Sequence, residues 1–63
     1  MENNLKKYRE AAGLSQADLS EKSGVARTII SFLETEKDYN VKINTLIALA
    51  NALGDSVENI FFA

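Results

Sequence analysis

Apolar residues along this chain recur at helical spacing and almost nowhere alternate, a pattern that predicts helices and no strand. Leu5, Tyr8 and Ala12 fall at i, i+3 and i+7 and mark one face of a first helix, about residues 4–12. Asn3 or Asn4 stands where a side-chain oxygen can accept an unpaired N–H at its start. Gly13 stands where a left-handed residue would end it, with Leu14 folding back on the last turn. Ser15 and Asp18 have the spacing of a capping box, and Asp18 complements the positive end of a helix dipole. They predict a short second helix, about 16–23, ended by Gly24. A third helix begins near Ala26, with Ala26, Ile30 and Leu33 on an inward face. Arg27, Thr28, Ser31 and Phe32 turn elsewhere, and Ile29 lies on the boundary. Residues 35–42 are polar without a period and read as a loop. Ile43, Leu46, Ile47, Ala50 and Leu53 give a fourth helix an apolar face, closed by Gly54. Ser56 can cap a last turn or two carrying Val57, Ile60 and Phe61.

The join between the second and third helices is informative. About two residues around Gly24 connect them, and so short a link forces a steep crossing, the geometry of a helix-turn-helix. A steep crossing needs a small residue where the helices meet, which Ser20 supplies, and a turn residue tolerant of positive φ, which Gly24 supplies. It also needs branched apolar residues beneath the third helix, and Val25, Ile30 and Leu33 supply them. The third helix then stands proud of the body, where it can enter a major groove.

Size and composition narrow the classes. Sixty-three residues make a single small domain, residues 1–63, with the helix-turn-helix at about 16–34. The absence of Cys and His excludes disulfide scaffolds, zinc fingers, and thiol or imidazole chemistry. With no phosphate-binding Gly-rich loop and no paired nucleophile and base, no enzyme, cofactor or metal is expected. Apolar runs fall far short of the ~20 residues of a membrane span. Met1-Glu2-Asn3-Asn4 lacks the marks of a secretory signal, so a cytoplasmic location is expected. Charge cuts the other way for a polyanion partner: the net value is −2, whereas nucleic-acid domains usually carry a basic footprint. Residues 1–31 nevertheless hold five basic and four acidic side chains, and residues 32–63 two basic and five acidic. The N-terminal half is the one able to face a polyanion.

Gly13-Leu14-Ser15-Gln16-Ala17-Asp18-Leu19, Gly24-Val25-Ala26-Arg27-Thr28-Ile29-Ile30-Ser31, Thr45-Leu46, Leu49-Ala50-Asn51-Ala52-Leu53-Gly54 and Val57-Glu58-Asn59-Ile60-Phe61 together resemble the Cro/cI-type (Xre-type) helix-turn-helix family, from about Leu5 to Phe61. Each segment alone is a weak signal, and the ordered set is a strong one. The resemblance implies an all-α, compact five-helix bundle, a lambda-repressor-like DNA-binding domain. It further implies a homodimer on a palindromic operator in a bacterium or phage, acting as a transcriptional regulator, here expected to be a repressor. By the same resemblance Ser15 and Gln16 open the second helix beside a phosphate, and Gln16 braces the recognition helix. Ala26, Arg27 and Thr28 form the tip of that helix, where Arg27 is placed for a bidentate contact to guanine. Thr28 and Ser31 face base edges or phosphates, and Lys37 and, more loosely, Lys42 face phosphate. The plain alternatives are a solvated Arg, ordinary surface hydroxyls and solvated loop lysines. Arg9 and Glu34 match a structural ion pair between the first and third helices. Ile60 and Phe62 lie where such domains dimerise, with a frayed tail as the plain alternative.

The chain also departs from the family. Phe32 stands where the family carries a polar residue, and Ile29 precedes it by one helical turn. This apolar pair suits a thymine methyl, partial burial, or a protein partner. Glu36 replaces a usual Gly, the following loop is longer by about one residue and lacks Asn-Pro, and Lys42 replaces a Ser or Thr cap. With the acidic balance, these changes sustain a second reading, an antitoxin-like or co-regulator protein-interaction module that keeps the fold.

Overall fold

Helix ends in this protein fall where nearby side chains and glycines take up the loose backbone groups. The computed structural model describes residues 3–35 and 40–63. Its elements are α1 (Leu5–Ala11), α2 (Gln16–Ser23), α3 (Arg27–Thr35), α4 (Ile43–Leu53) and a last wide turn, α5 (Glu58–Phe62). No strand occurs among the described residues.

Asn3, rather than Asn4, caps α1: its Oδ1 accepts the Leu5 N–H at 2.9 Å. Asn4 instead ties the start of α1 to the end of the chain. Its N–H donates to the Ile60 carbonyl at 2.7 Å and its side chain to the Asn59 carbonyl at 3.2 Å. At the other end of α1, the Leu14 N–H returns to the Arg9 carbonyl at 3.1 Å. The capping box at α2 is complete: Ser15 Oγ accepts the Asp18 N–H at 3.0 Å, and the Asp18 carboxylate accepts the Ser15 N–H at 2.9 Å. The bond from the Ser15 N–H and a lesser one from the Ser15 hydroxyl hold the Asp18 carboxyl below the usual carboxylate range.

The turn between α2 and α3 is satisfied group by group. Gly24, at φ +76°, ends α2 in the left-handed region and returns its N–H to the Ser20 carbonyl at 2.9 Å. Val25 gives its N–H to Ser23 Oγ at 3.1 Å, and its carbonyl accepts from Ser20 Oγ at 2.6 Å. Ser20 is therefore both the small residue that the crossing needs and a clasp across it.

Leu5, Leu19, Ile30, Leu33, Leu49, Ile60 and Phe61 are fully buried, with Val25, Leu46 and Ala50 beside them. Every helix contributes, and each such side chain stabilises the fold by about 1.5–3 kcal/mol when removed from water. Four expectations change. Ala12 and Ala26 are exposed: α1 turns Arg9 inward where Ala12 was expected, and Ala26 precedes α3 rather than sharing its face. In α4, Ile43 and Ile47 are 55% and 41% exposed, while Leu49 is fully buried. The packed stripe is Leu46, Leu49 and Ala50, because α4 lies against α2. Thr35 belongs to α3, where its hydroxyl donates to the Ser31 carbonyl at 2.9 Å. Ile60, expected beside Phe62 on a dimer surface, is in the core, so Phe62, 54% exposed, alone is available there.

Candidate nucleic-acid interface

The exposed surface of α3 and the groups that hold that helix in place make up the candidate site. α3 is strongly two-sided. Ile30 and Leu33 are fully buried, whereas Ala26, Arg27 and Thr28 stand exposed at its start, Ser31 is half-buried, and Phe32 is 40% exposed. Ala26 has no side-chain oxygen to cap the helix, and its carbonyl accepts from the Ile29 and Ile30 N–H groups at 3.0 and 3.2 Å. Ser15 and Gln16 open α2, an end where the dipole and the backbone N–H groups favour an anion. The Ser15 hydroxyl accepts the Asp18 N–H in the capping box and also hydrogen-bonds the Asp18 carboxylate.

A buried polar cluster clamps the far end of α3. Arg9, 8% exposed, donates from Nε to Glu34 Oε2 at 2.7 Å and from Nη2 to Oε1 at 3.0 Å, a bidentate fork. Its Nη1 donates to the Leu14 carbonyl at 2.7 Å, and Gln16 Nε2 donates to Glu34 Oε1 at 3.1 Å. One guanidinium thus joins α1, the loop after it and α3, while Gln16 joins the mouth of α2 to the same carboxylate. Burial pushes the Glu34 carboxyl up, but the bonds from Arg9 and Gln16 and the charges of Arg9 and Lys6 outweigh it and hold the group below its ordinary value. The same bond to Glu34 raises Arg9, against a smaller lowering by burial. The cluster fixes where α3 sits against the body and where Gln16 sits relative to α3.

Lys42 lies at the mouth of α4, with no side-chain cap bond. A cation there opposes the helix dipole, a local cost to the fold. Lys37, Glu36 and Tyr39 lie outside the described residues. Two features were missed in the sequence. Leu14 serves Arg9 through its backbone carbonyl, which no side-chain pattern signals. Thr45, three residues after Lys42, lines with it a groove beside α3, and that helical spacing was a usable signal.

An exposed helix start braced on a steep turn defines a helix-turn-helix DNA-binding protein. Residues 5–58 match the helix-turn-helix family of Xre type, and the chain belongs to that family of DNA-binding transcriptional regulators, which is not an enzyme family. It is 46% identical to control protein C.SmaI of Serratia marcescens over 57 residues, 90% of this chain and 67% of that protein. It is 38% identical to an uncharacterised HTH-type transcriptional regulator of Methanocaldococcus jannaschii, over 97% of this chain and 91% of that one. Among solved structures, the restriction-modification controller protein C.AhdI of Aeromonas hydrophila superposes with a TM-score of 0.80 at 32% identity, over 89% of this chain and 83% of that one. A chain of the SinR/SinI protein complex superposes at 0.79 and 35% identity over 86% of this chain, which spans about half, 52%, of that neighbour. No helix among the described residues is long and apolar enough to cross a membrane.

Proposed function

We propose that this chain is a controller-type transcriptional regulator that binds a specific duplex-DNA operator as a homodimer, with α3 in the major groove. The observation that carries the reading is the two-sided α3: its inner face is fully buried, its far end is clamped by Arg9, Glu34 and Gln16, and Arg27 and Thr28 stand exposed at its start. Arg27 takes a guanine edge in a bidentate contact, Thr28 and Ser31 contact base edges or phosphate, and Ser15, Gln16, Lys37 and Lys42 hold the phosphates on either side. Phe62, exposed beside the clasped termini, contributes to the contact between two copies on a palindromic site. Occupying an operator excludes other proteins from that DNA, so the direct effect is repression, in the cytoplasm of a bacterium or a phage-infected cell, on its nucleoid. The likeness to C.SmaI and to C.AhdI, a restriction-modification controller, supports control of restriction-modification genes as the setting.

Selection from a random duplex pool at low and near-physiological salt tests this. The expected result is an inverted repeat whose half-site centres lie about 10 bp apart, one helical turn. Arg27→Ala should then lower affinity by about 1–3 kcal/mol and relax one base pair per half-site. Weak binding that vanishes with salt, indifferent to Arg27, would refute the proposal. That result would favour the antitoxin-like or co-regulator reading, which draws on the net charge of −2 and on exposed Ile29 and Phe32.

A further inference from the structure

Between α3 and the start of α4 lies an open groove of about 400 Å³ whose apolar side none of the proposed guanine or phosphate contacts uses. Ile29, Phe32 and Val41 give it an apolar wall, and Thr28, Asn40, Lys42 and Thr45 a polar rim. We infer that this groove reads the C5-methyl group of a pyrimidine, in thymine or in 5-methylcytosine, on the bound duplex. The inference rests on the reading of α3 as the helix that meets DNA.

Four observations bear on the occupant. Thr28 belongs both to the exposed start of α3 and to the groove, so a duplex lying along α3 brings its base edges to the groove without moving. The wall is made of side chains that neither donate nor accept. In a major groove every base edge presents hydrogen-bonding atoms, and the one apolar feature is a methyl at C5 of a pyrimidine. A polar edge pressed against Ile29, Phe32 and Val41 would lose its water with nothing in exchange from that wall, whereas a methyl gains by leaving water there. Among the described residues lining the groove, Lys42 is the charged one, and its sign suits the phosphates that run beside any base it faces. Ile29 and Phe32, 36% and 40% exposed, have apolar surface still to bury.

The test uses the selected duplex and fluorescence anisotropy. Each thymine of the half-site is replaced singly by deoxyuridine, which removes the methyl and nothing else. One position per half-site should weaken binding about fourfold, the worth of one buried methyl. At that position a 5-methylcytosine·guanine pair should bind about fourfold better than the unmethylated pair if the groove takes the methyl from either base. A response to thymine alone would confine the groove to thymine. Phe32→Ala and Ile29→Ala should each bring the thymine-to-uridine ratio toward one, with thermal melts confirming that both fold. Arg27→Ala should lower affinity while leaving that ratio intact. If no uridine position matters, or the ratio survives in both groove variants while Arg27 still counts, the groove inference fails and the DNA reading stands. If no duplex is preferred and Arg27 is indifferent, both fail together.

Discussion

Replacing Arg9 by Met would remove the cation while keeping a flexible apolar stem of similar reach. Glu34, whose side chain is 3% exposed, would be left with the Gln16 bond alone, and the Leu14 carbonyl would lose its donor. Breaking a buried, hydrogen-bonded pair from one side costs about 3–5 kcal/mol, and the surviving Gln16 bond argues for the lower end. At about 0.05–0.15 kcal/mol per residue, a domain of this length has only about 3–9 kcal/mol in all. A loss of about 3 kcal/mol therefore means a melting point lower by about 12–24 °C at neutral pH. The pH dependence is the sharper signature. In the parent chain the Glu34 carboxyl is depressed on folding, so its stabilisation is present above its unfolded value of about 4.3 and is lost as pH falls through the folded one. Without Arg9, burial becomes the leading influence and raises the group, so protonation then favours the folded state. The melting gap between parent and Arg9→Met should consequently narrow as pH falls from about 7 to about 4, where the variant's raised carboxyl takes its proton in the folded state and the parent's does not. Circular dichroism melts across that range measure it. A cost under about 1 kcal/mol, or a gap that stays constant or widens on acidification, would refute the account of the cluster. Arg9→Met combined with Glu34→Leu should recover most of the loss, because no unpaired charge remains.

At Gly24, a Cβ would meet nothing within 4 Å, so Gly24→Ala isolates the backbone cost of φ +76°, about 1–2 kcal/mol in chemical denaturation; no loss would mean that the turn relaxes. Ser15→Ala removes the cap of α2 and should cost about 1 kcal/mol in the same assay. It should also raise the Asp18 carboxyl only part of the way, because the Ser15 N–H bond to it remains, read by side-chain NMR titration. Phe62→Ser should leave the melt of dilute protein unchanged and weaken self-association in sedimentation, since the residue is 54% exposed; unaltered association would remove Phe62 from the contact between copies.

The residues that set local backbone geometry were the most legible in the sequence. The capping box at Ser15 and Asp18, the bounds of α2, the glycine turn and the Arg9–Glu34 pair all depend on fixed spacings or on a motif, and all stand as expected. What misled was facing direction where a helix is apolar on more than one side. α4 carries Ile43, Leu46, Ile47, Ala48, Leu49, Ala50, Ala52 and Leu53, so periodicity admits more than one stripe, and contact with α2 decides between them. Ala26 and Ala12 misled for a related reason: alanine is small enough to suit either side of a helix. Arg9 is a different case: a charged residue ordinarily faces water, but its match to a pair with Glu34 marks it as structural, and its three hydrogen bonds make its burial tolerable. The groove beside α3 depends on which residues of distant segments meet, and no local pattern holds that.

The clasp formed by Asn3 and Asn4 has a further consequence. Asn4 binds the backbone of Asn59, 55 positions along from it, and of the next residue, Ile60, and Asn3 reaches the Leu33 carbonyl at 2.9 Å. The first helix is thereby sewn both to the final turn and to the C-terminal half of α3. Chain ends usually open by fraying at little cost, but here releasing either end strips partners from the other and from the helix between them. Opening is pushed toward all-or-none behaviour. The Asn4 amide, close to one end of the sequence, should exchange with solvent about as slowly as the amides of the core.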